Sequence, residues 1–293
     1  MMQVASFPME FARLHDCSRD FCLWDYRPPS RPAPDGIRGV SLLYAAASTC
    51  SDAEALAQLV ANLRALLGDF ATVWGLKWLD GSLSAEFYFY DYRRTERQVS
   101  LERIAQAFAP LADVEVWVDE AIPYFMASVE VPLSAGGARH TVEVADIYIG
   151  NPDETGISSG LCYEAGPGGI RLKNLYYFFD AQSSWDAVLA KAACSAHIPM
   201  GSVDCSAIFP DWLREAQVAV VANKPLNDGA YFSRIGVDAL IRFLREFSYP
   251  AELVDFAITN RDQLSHLLFD VGYDYRVADG RVVFGKSSIY NVF

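Results

Sequence analysis

Apolar and polar positions change period several times along the chain, and each change marks an element. Leu56, Leu59, Val60, Leu63, Leu66 and Leu67 recur at three- and four-residue spacing, which predicts a helix closed by Gly68. Ser51 with Glu54 three residues on gives that helix a capping-box start. The period then drops to two. Residues 71–79 and 82–92 read as strands flanking Asp80-Gly81, the strongest short-range hairpin signal. On the second of them Glu86, Tyr88, Tyr90 and Tyr92 share one face and Phe87 and Phe89 the other. Leu101, Ile104, Ala105 and Phe108 then predict a second helix from about Ser100, where Ser100 and Arg103 make no capping box.

The rest of the chain continues the alternation. Residues 37–48 read as an opening strand, and 114–118, 124–133 and 141–149 as further strands, with Gly136-Gly137 as a turn and 151–159 as a polar loop. Residues 161–164 pair with 170–179 across Ala165-Gly166-Pro167-Gly168-Gly169. Helices are predicted over 183–195, 237–247 and 250–258, with a short one near Asp211. A strand at 217–223 precedes a loop at Asn227-Asp228-Gly229, and residues 263–277 and 281–293 form a last hairpin around Ala278-Asp279-Gly280, with Leu264 to Phe269 reading equally as a helical opening. Paired strands between helices imply an α+β protein with an antiparallel sheet. A sheet of about ten strands tends to close, which abolishes its edges. The predicted architecture is an antiparallel β-barrel of about ten strands, built from helix–hairpin–helix repeats with the helices outside. It occupies residues 37–293 as one domain. Residues 1–36 form an N-terminal lead-in ending in the Pro-rich linker Arg27-Pro28-Pro29-Ser30-Arg31-Pro32-Ala33-Pro34-Asp35-Gly36.

One strand stands apart chemically. Along residues 170–179 strict alternation places Arg171, Lys173, Leu175, Tyr177 and Phe179 on one face. Two cations followed by aromatics suit a polyanion with an apolar tail. The plainer alternative is a cationic strand end reaching water at a rim, its stems snorkelling. The formal net charge of −13 argues against nucleic acid and makes cations inside apolar segments informative. Lys77, Arg171, Lys173, Lys224 and Lys286 sit in such segments.

Other chemistries find little support. Six cysteines and four histidines form no metal-ligand spacing, and Cys194 with His197 reads as packing. Nucleophile-elbow, phosphate-loop and dinucleotide motifs are absent. No apolar run reaches the ~18 residues of a membrane span, and the N-terminus lacks a signal-peptide pattern. The expectation is a cytoplasmic protein without membrane insertion.

Arg171-Leu172-Lys173 with tyrosines just downstream resembles the Arg-x-Lys-x-Tyr strand of the aromatic prenyltransferases with the αββα barrel, the ABBA fold. In that pattern the tyrosine falls two residues after the lysine. Here that position is Leu175, and Tyr176 and Tyr177 follow it. The resemblance covers one strand and a coarse repeat. It implies transfer of an isoprenyl group from an allylic diphosphate to an aromatic acceptor, a small molecule or a peptide side chain, in secondary metabolism. It further implies that Arg171 and Lys173 grip the diphosphate with Lys77, Lys224, Arg234 and Lys286. Tyr177, Tyr231 and Tyr290 would donate to it or shield the allylic cation, and Glu86 would orient or deprotonate the acceptor. No aspartate-rich metal-diphosphate motif is present, so no cofactor is required and Mg2+ is optional. The competing expectation is a non-catalytic protein that binds a small molecule in an aromatic pocket.

Overall fold

Tight turns set the geometry. In the computed structural model, which describes residues 8–50, 52–133, 139–150, 158–199 and 203–293, Asp80 and Gly81 both take positive φ, 48° and 85°. Asp279 and Gly280 do the same, at 51° and 70°. Two successive left-handed residues match the right-handed twist of the flanking strands, so each turn delivers a two-residue hairpin. The first joins β1 (Thr72–Leu79) to β2 (Ser82–Tyr90) and the second β11 (Phe269–Ala278) to β12 (Arg281–Val292). Between them lie β3 (Ala112–Val114), β4 (Met126–Leu133), β5 (His140–Val142), β6 (Ala145–Ile149), β7 (Ser158–Gly166), β8 (Gly169–Asp180), β9 (Val218–Asn223) and β10 (Asp228–Ile235).

Ten of these strands close into one barrel in the order β1-β12-β11-β10-β9-β8-β7-β6-β4-β2, every neighbour antiparallel. They form five pairs: β1–β2, β4–β6, β7–β8, β9–β10 and β11–β12. Short β3 and β5 pair in parallel outside the barrel. The helices are α1 (Val40–Ala47), α2 (Ala53–Leu67), α3 (Leu101–Ala107), α4 (Trp185–Ala193), α5 (Val237–Glu246), α6 (Ala251–Thr259) and α7 (Arg261–Leu264). Their apolar faces cover the outer faces of the strands in one core that includes Leu59, Trp74, Phe87, Phe108, Val188, Phe243 and Val271.

Several elements differ from the expectation. Residues 37–48 contain a helix, because every residue of α1 is buried and an apolar run buried all round carries no period to distinguish it from a strand. The predicted strand at 114–118 is not in the barrel. Residues 141–149 divide into β5 and β6, and of the two readings open for the start of 263–277 the helical one applies as far as Leu264, in α7, with β11 beginning at Phe269. The short helix expected near Asp211 is present, as the 3-10 helix Asp211–Glu215. Asp52 precedes α2, and among the described residues its side chain makes no cap hydrogen bond to the helix. Ser100 does cap α3, accepting from the Arg103 amide. Ser51, the Gly136-Gly137 turn and most of the 151–159 loop lie outside the described residues.

The lead-in packs across the barrel end opposite the hairpin turns. Residues 16–26 fold back on themselves, with the Tyr26 amide donating to the Ser18 carbonyl and the Asp20 amide to that of Trp24. Leu23, at φ 58°, makes the turn. The barrel therefore has an open mouth at its hairpin end and a floor at its helix end.

Candidate functional site

Side chains alternate between lumen and outer core along each strand, and the second strand of every pair contributes one tyrosine to the lumen at the same height. These are Tyr88, Tyr148, Tyr176, Tyr231 and Tyr290, on β2, β6, β8, β10 and β12. Their rings form a closed circuit, with centroids 6.4 Å apart for Tyr88–Tyr148, 6.2 Å for Tyr148–Tyr176 and 6.1 Å for Tyr176–Tyr231. Tyr231–Tyr290 at 6.4 Å and Tyr290–Tyr88 at 5.8 Å complete it. The barrel makes room for the rings with glycines: a Cβ on Gly75 would lie 2.7 Å from Tyr290, and one on Gly272 would collide with Tyr231. Burial pushes all five hydroxyls up in pKa, so each stays a neutral donor.

Above this belt the mouth is a cavity of about 500 Å³ lined by charged side chains. Lys77 reaches Glu130 at 2.6 Å and Glu86 as a second partner. Burial opposes its charge, but Glu130 and Glu86 outweigh that and hold the ammonium well above its usual range. Burial likewise works against Glu130, yet Lys77 and Lys286 bring its carboxyl down to about 2. Lys173 bonds both oxygens of Asp146, at 2.7 and 2.9 Å. Burial keeps Asp146 above the ordinary carboxylate range even so. Lys224 binds Asp274 and donates to the Tyr231 hydroxyl at 3.0 Å. Lys286 is different: among the described residues it has no carboxylate within ion-pair distance. The neighbouring Lys77 charge, together with burial, pulls it down to about 8.

Below the belt is a smaller, apolar chamber of about 80 Å³, lined by Val73, Phe125, Phe178, Val220 and Phe21 with the undersides of the tyrosines. The lead-in supplies its floor. The Phe21 ring stacks on Phe178 at 6.3 Å, and its amide donates to Asp270 at 2.7 Å. Arg234 pairs with the fully buried Asp20 at 2.9 Å.

The structure thus brings Lys77, Glu86, Lys173, Lys224, Tyr231, Lys286 and Tyr290 together around one lumen. Arg171 stands at the rim, its side chain 77% exposed and paired with Glu164 at 2.5 Å. Two expectations are corrected. Tyr177 lies on the outer face, packed in the helix-covered core with Lys191 over its ring at 4.0 Å. Arg234 lies at the floor, far along the barrel from the lysines, and pins the lead-in. The cause of the first correction is a bulge in β8. Cys162 pairs with Asn174 but Tyr163 pairs with Leu172, leaving Lys173 as the extra residue. A bulge resets the alternation, so Asn174, Tyr176 and Phe178 continue the lumenal face that Lys173 begins. Glu86 faces the lumen, but its oxygens are taken by Lys77, Tyr88 and Ser128, the last at 2.6 Å. That makes it a positioning group for Lys77 and Tyr88. Tyr88, Tyr148 and Tyr176 had no assigned role in the sequence reading. A recurring polar-x-Tyr on second strands (Glu86-x-Tyr88, Asp146-x-Tyr148, Asn174-x-Tyr176, Ser288-x-Tyr290) is the signal that marks them.

Among the described residues no three of His, Cys, Asp and Glu gather to hold a metal. No described helix is long and apolar enough to cross a membrane, a statement that concerns helices alone. No protein-family model and no curated protein sequence matches the chain. Among solved structures, a porin-like protein from Bacteroides uniformis aligns over 76% of this chain and 98% of its own, at 9% identity and a TM-score of 0.18. At that score the likeness carries no argument.

Proposed function

We propose that the protein transfers an isoprenyl group from an allylic diphosphate to an aromatic acceptor inside the barrel. The carrying observation is the closed ring of five tyrosines set directly beneath a lysine-lined mouth. A regular pentagon with edges of about 6 Å has its corners about 5 Å from its centre, inside the ~6 Å reach of a cation–π contact. A carbocation on the barrel axis would lie within that reach of all five rings, stabilised by those that turn a face to it, and the ring hydroxyls would remain neutral.

The chemistry divides along the axis. The diphosphate sits in the mouth against Lys286, Lys224, Lys77 and Lys173, with Tyr231 as a hydroxyl donor. The C–O bond to the isoprenyl carbon breaks, and the bonding pair leaves with the diphosphate. Fixed ammonium groups stabilise that developing charge without reorganising. The acceptor's ring carbon or heteroatom supplies the pair for the new bond. Its displaced proton goes to a lumenal carboxylate: Glu86 and Asp146 both face the lumen, each already bonded to a lysine, and Asp146 is the one held above the usual carboxylate range. The chamber excludes water, which would otherwise capture the cation. The bulge at Lys173 supports the resemblance, since it returns Tyr176 to the lysine's face despite its one-residue offset. Side-chain cations neutralise the leaving group in this reading and Mg2+ is optional. The helix-covered outer faces of the strands favour a cytoplasmic setting.

Incubation with dimethylallyl or geranyl diphosphate and a panel of phenols, indoles and tyrosine peptides, followed by mass spectrometry, tests the proposal. A product heavier by one isoprenyl group, with release of inorganic diphosphate, is the expected outcome. Tight binding of the diphosphate without product would overturn transfer in favour of a small-molecule binding protein.

A further inference from the structure

We propose that Phe21, carried on the lead-in and not on the barrel, sets the length of the isoprenyl chain that the site accepts, and restricts it to a single five-carbon unit. The inference rests on the transferase reading.

The tail of a donor whose diphosphate sits in the mouth must point through the tyrosine belt into the chamber below. That chamber holds about 80 Å³. An apolar cavity of about 150 Å³ takes one benzene ring. Roughly half that volume accommodates the branched end of a dimethylallyl group and leaves no place for a second unit. What stops the chamber is the Phe21 ring, which lies parallel to Phe178 with an interplanar angle of 7°. Among the described residues, Phe21 belongs to the fold-back of residues 20–24, closed by the Asp20 amide donating to the Trp24 carbonyl.

The floor is held firmly enough to act as a ruler. The Phe21 amide donates to Asp270 at 2.7 Å, and its carbonyl accepts from the Tyr90 hydroxyl. Asp20, next in the chain, accepts from the amides of Cys22 and Trp24 at 2.9 and 3.0 Å and pairs with Arg234. These bonds fix the backbone of the turn and involve no atom of the Phe21 ring. Trimming the ring therefore deepens the chamber without releasing the turn.

The test compares wild type with Phe21→Leu and Phe21→Ala, each with dimethylallyl and geranyl diphosphate and one acceptor that the wild type prenylates. The readout is the ratio of geranylated to dimethylallylated product, with a thermal melt on each variant. The wild type is expected to favour the five-carbon donor by about 100-fold, and the ratio to rise about tenfold or more in Phe21→Ala, with Phe21→Leu between them. Phe21→Leu, the smaller change, keeps the test decisive should Phe21→Ala fail to fold. A ratio unchanged across the folded variants overturns the ruler while leaving transfer intact. So does a wild type that uses geranyl diphosphate equally well. A wild type that prenylates nothing with either donor overturns the transferase reading itself.

Discussion

The two ends of the barrel solve the same problem, buried charge, in opposite ways. At the floor two acidic groups are buried: Asp20 pairs with the Arg234 guanidinium, and Asp270 accepts from the Phe21 and Arg234 amides and the Ser233 hydroxyl. The Asp20–Arg234 pair and the Phe21–Asp270 bond tie the lead-in to the strands. At the mouth Lys77, Lys173 and Lys224 each rest on a carboxylate, and Lys286 stands beside them without one. The floor is a finished structure, whereas the mouth, among the described residues, leaves one of its cations without a carboxylate partner. Charge that serves the fold has its partners built in, whereas charge that awaits a ligand leaves some of its interactions unmade.

The largest expected effects come from breaking a buried pair at either end. Lys77→Ala strands Glu86, and Arg234→Ala strands Asp20, whose side chain is fully buried. Each should lower the unfolding free energy by about 3–5 kcal/mol in a denaturant titration. Lys286→Ala should do the reverse of both. With no ion pair to lose, it leaves the melting temperature nearly unchanged. Diphosphate affinity falls by about tenfold or more, the scale of one charge-assisted hydrogen bond.

The two ends should also answer differently to pH. In the free protein Lys286 is pulled down to about 8 by Lys77 and burial, and a bound diphosphate restores its charge. Binding above pH 8 must take up a proton, so affinity should be flat below that value and fall about tenfold per unit above it. Lys286→Arg should remove the inflection, because a guanidinium stays charged. At the floor, burial and the Asp20 charge push Asp270 up to about 8, from an unfolded value near ~3.9. A carboxyl raised in the fold contributes stability that is full below its unfolded pKa and is lost as pH rises through the folded one. Melting temperature should therefore fall between about pH 4 and 8 and level off above, and the fall should be less steep in Asp270→Asn. The smallest effect belongs to Tyr177→Phe, which removes an outward hydroxyl and should change both stability (by less than about 0.5 kcal/mol) and turnover very little. Tyr176→Phe, inside the belt, should lower turnover measurably.

This contrast also explains what was legible in the sequence. The turns at Asp80-Gly81 and Asp279-Gly280 announce their hairpins, and the helix–hairpin alternation leads to a closed barrel without further information. The mouth lysines were legible because a cation in an apolar strand has few other reasons to be there. Arg234 sits in an equally apolar strand and was misplaced, because alternation gives a residue's face but not its height along the barrel. Tyr177 was misplaced by one extra residue at Lys173. A bulge costs no recognisable turn signal, so strict alternation ran past it. The five-tyrosine circuit escaped notice for a related reason: its members lie far apart in sequence and meet only once the barrel closes.

The most direct measurement is a calorimetric titration at pH 7 of an unreactive thio-analogue of dimethylallyl diphosphate into the wild type, Lys286→Ala and Arg234→Lys. The account predicts binding to the wild type, binding of equal strength to the floor variant, and a loss of about tenfold or more in the mouth variant. An analogue that fails to bind the wild type, or that is weakened by the change at the floor and indifferent to the change at the mouth, would contradict it.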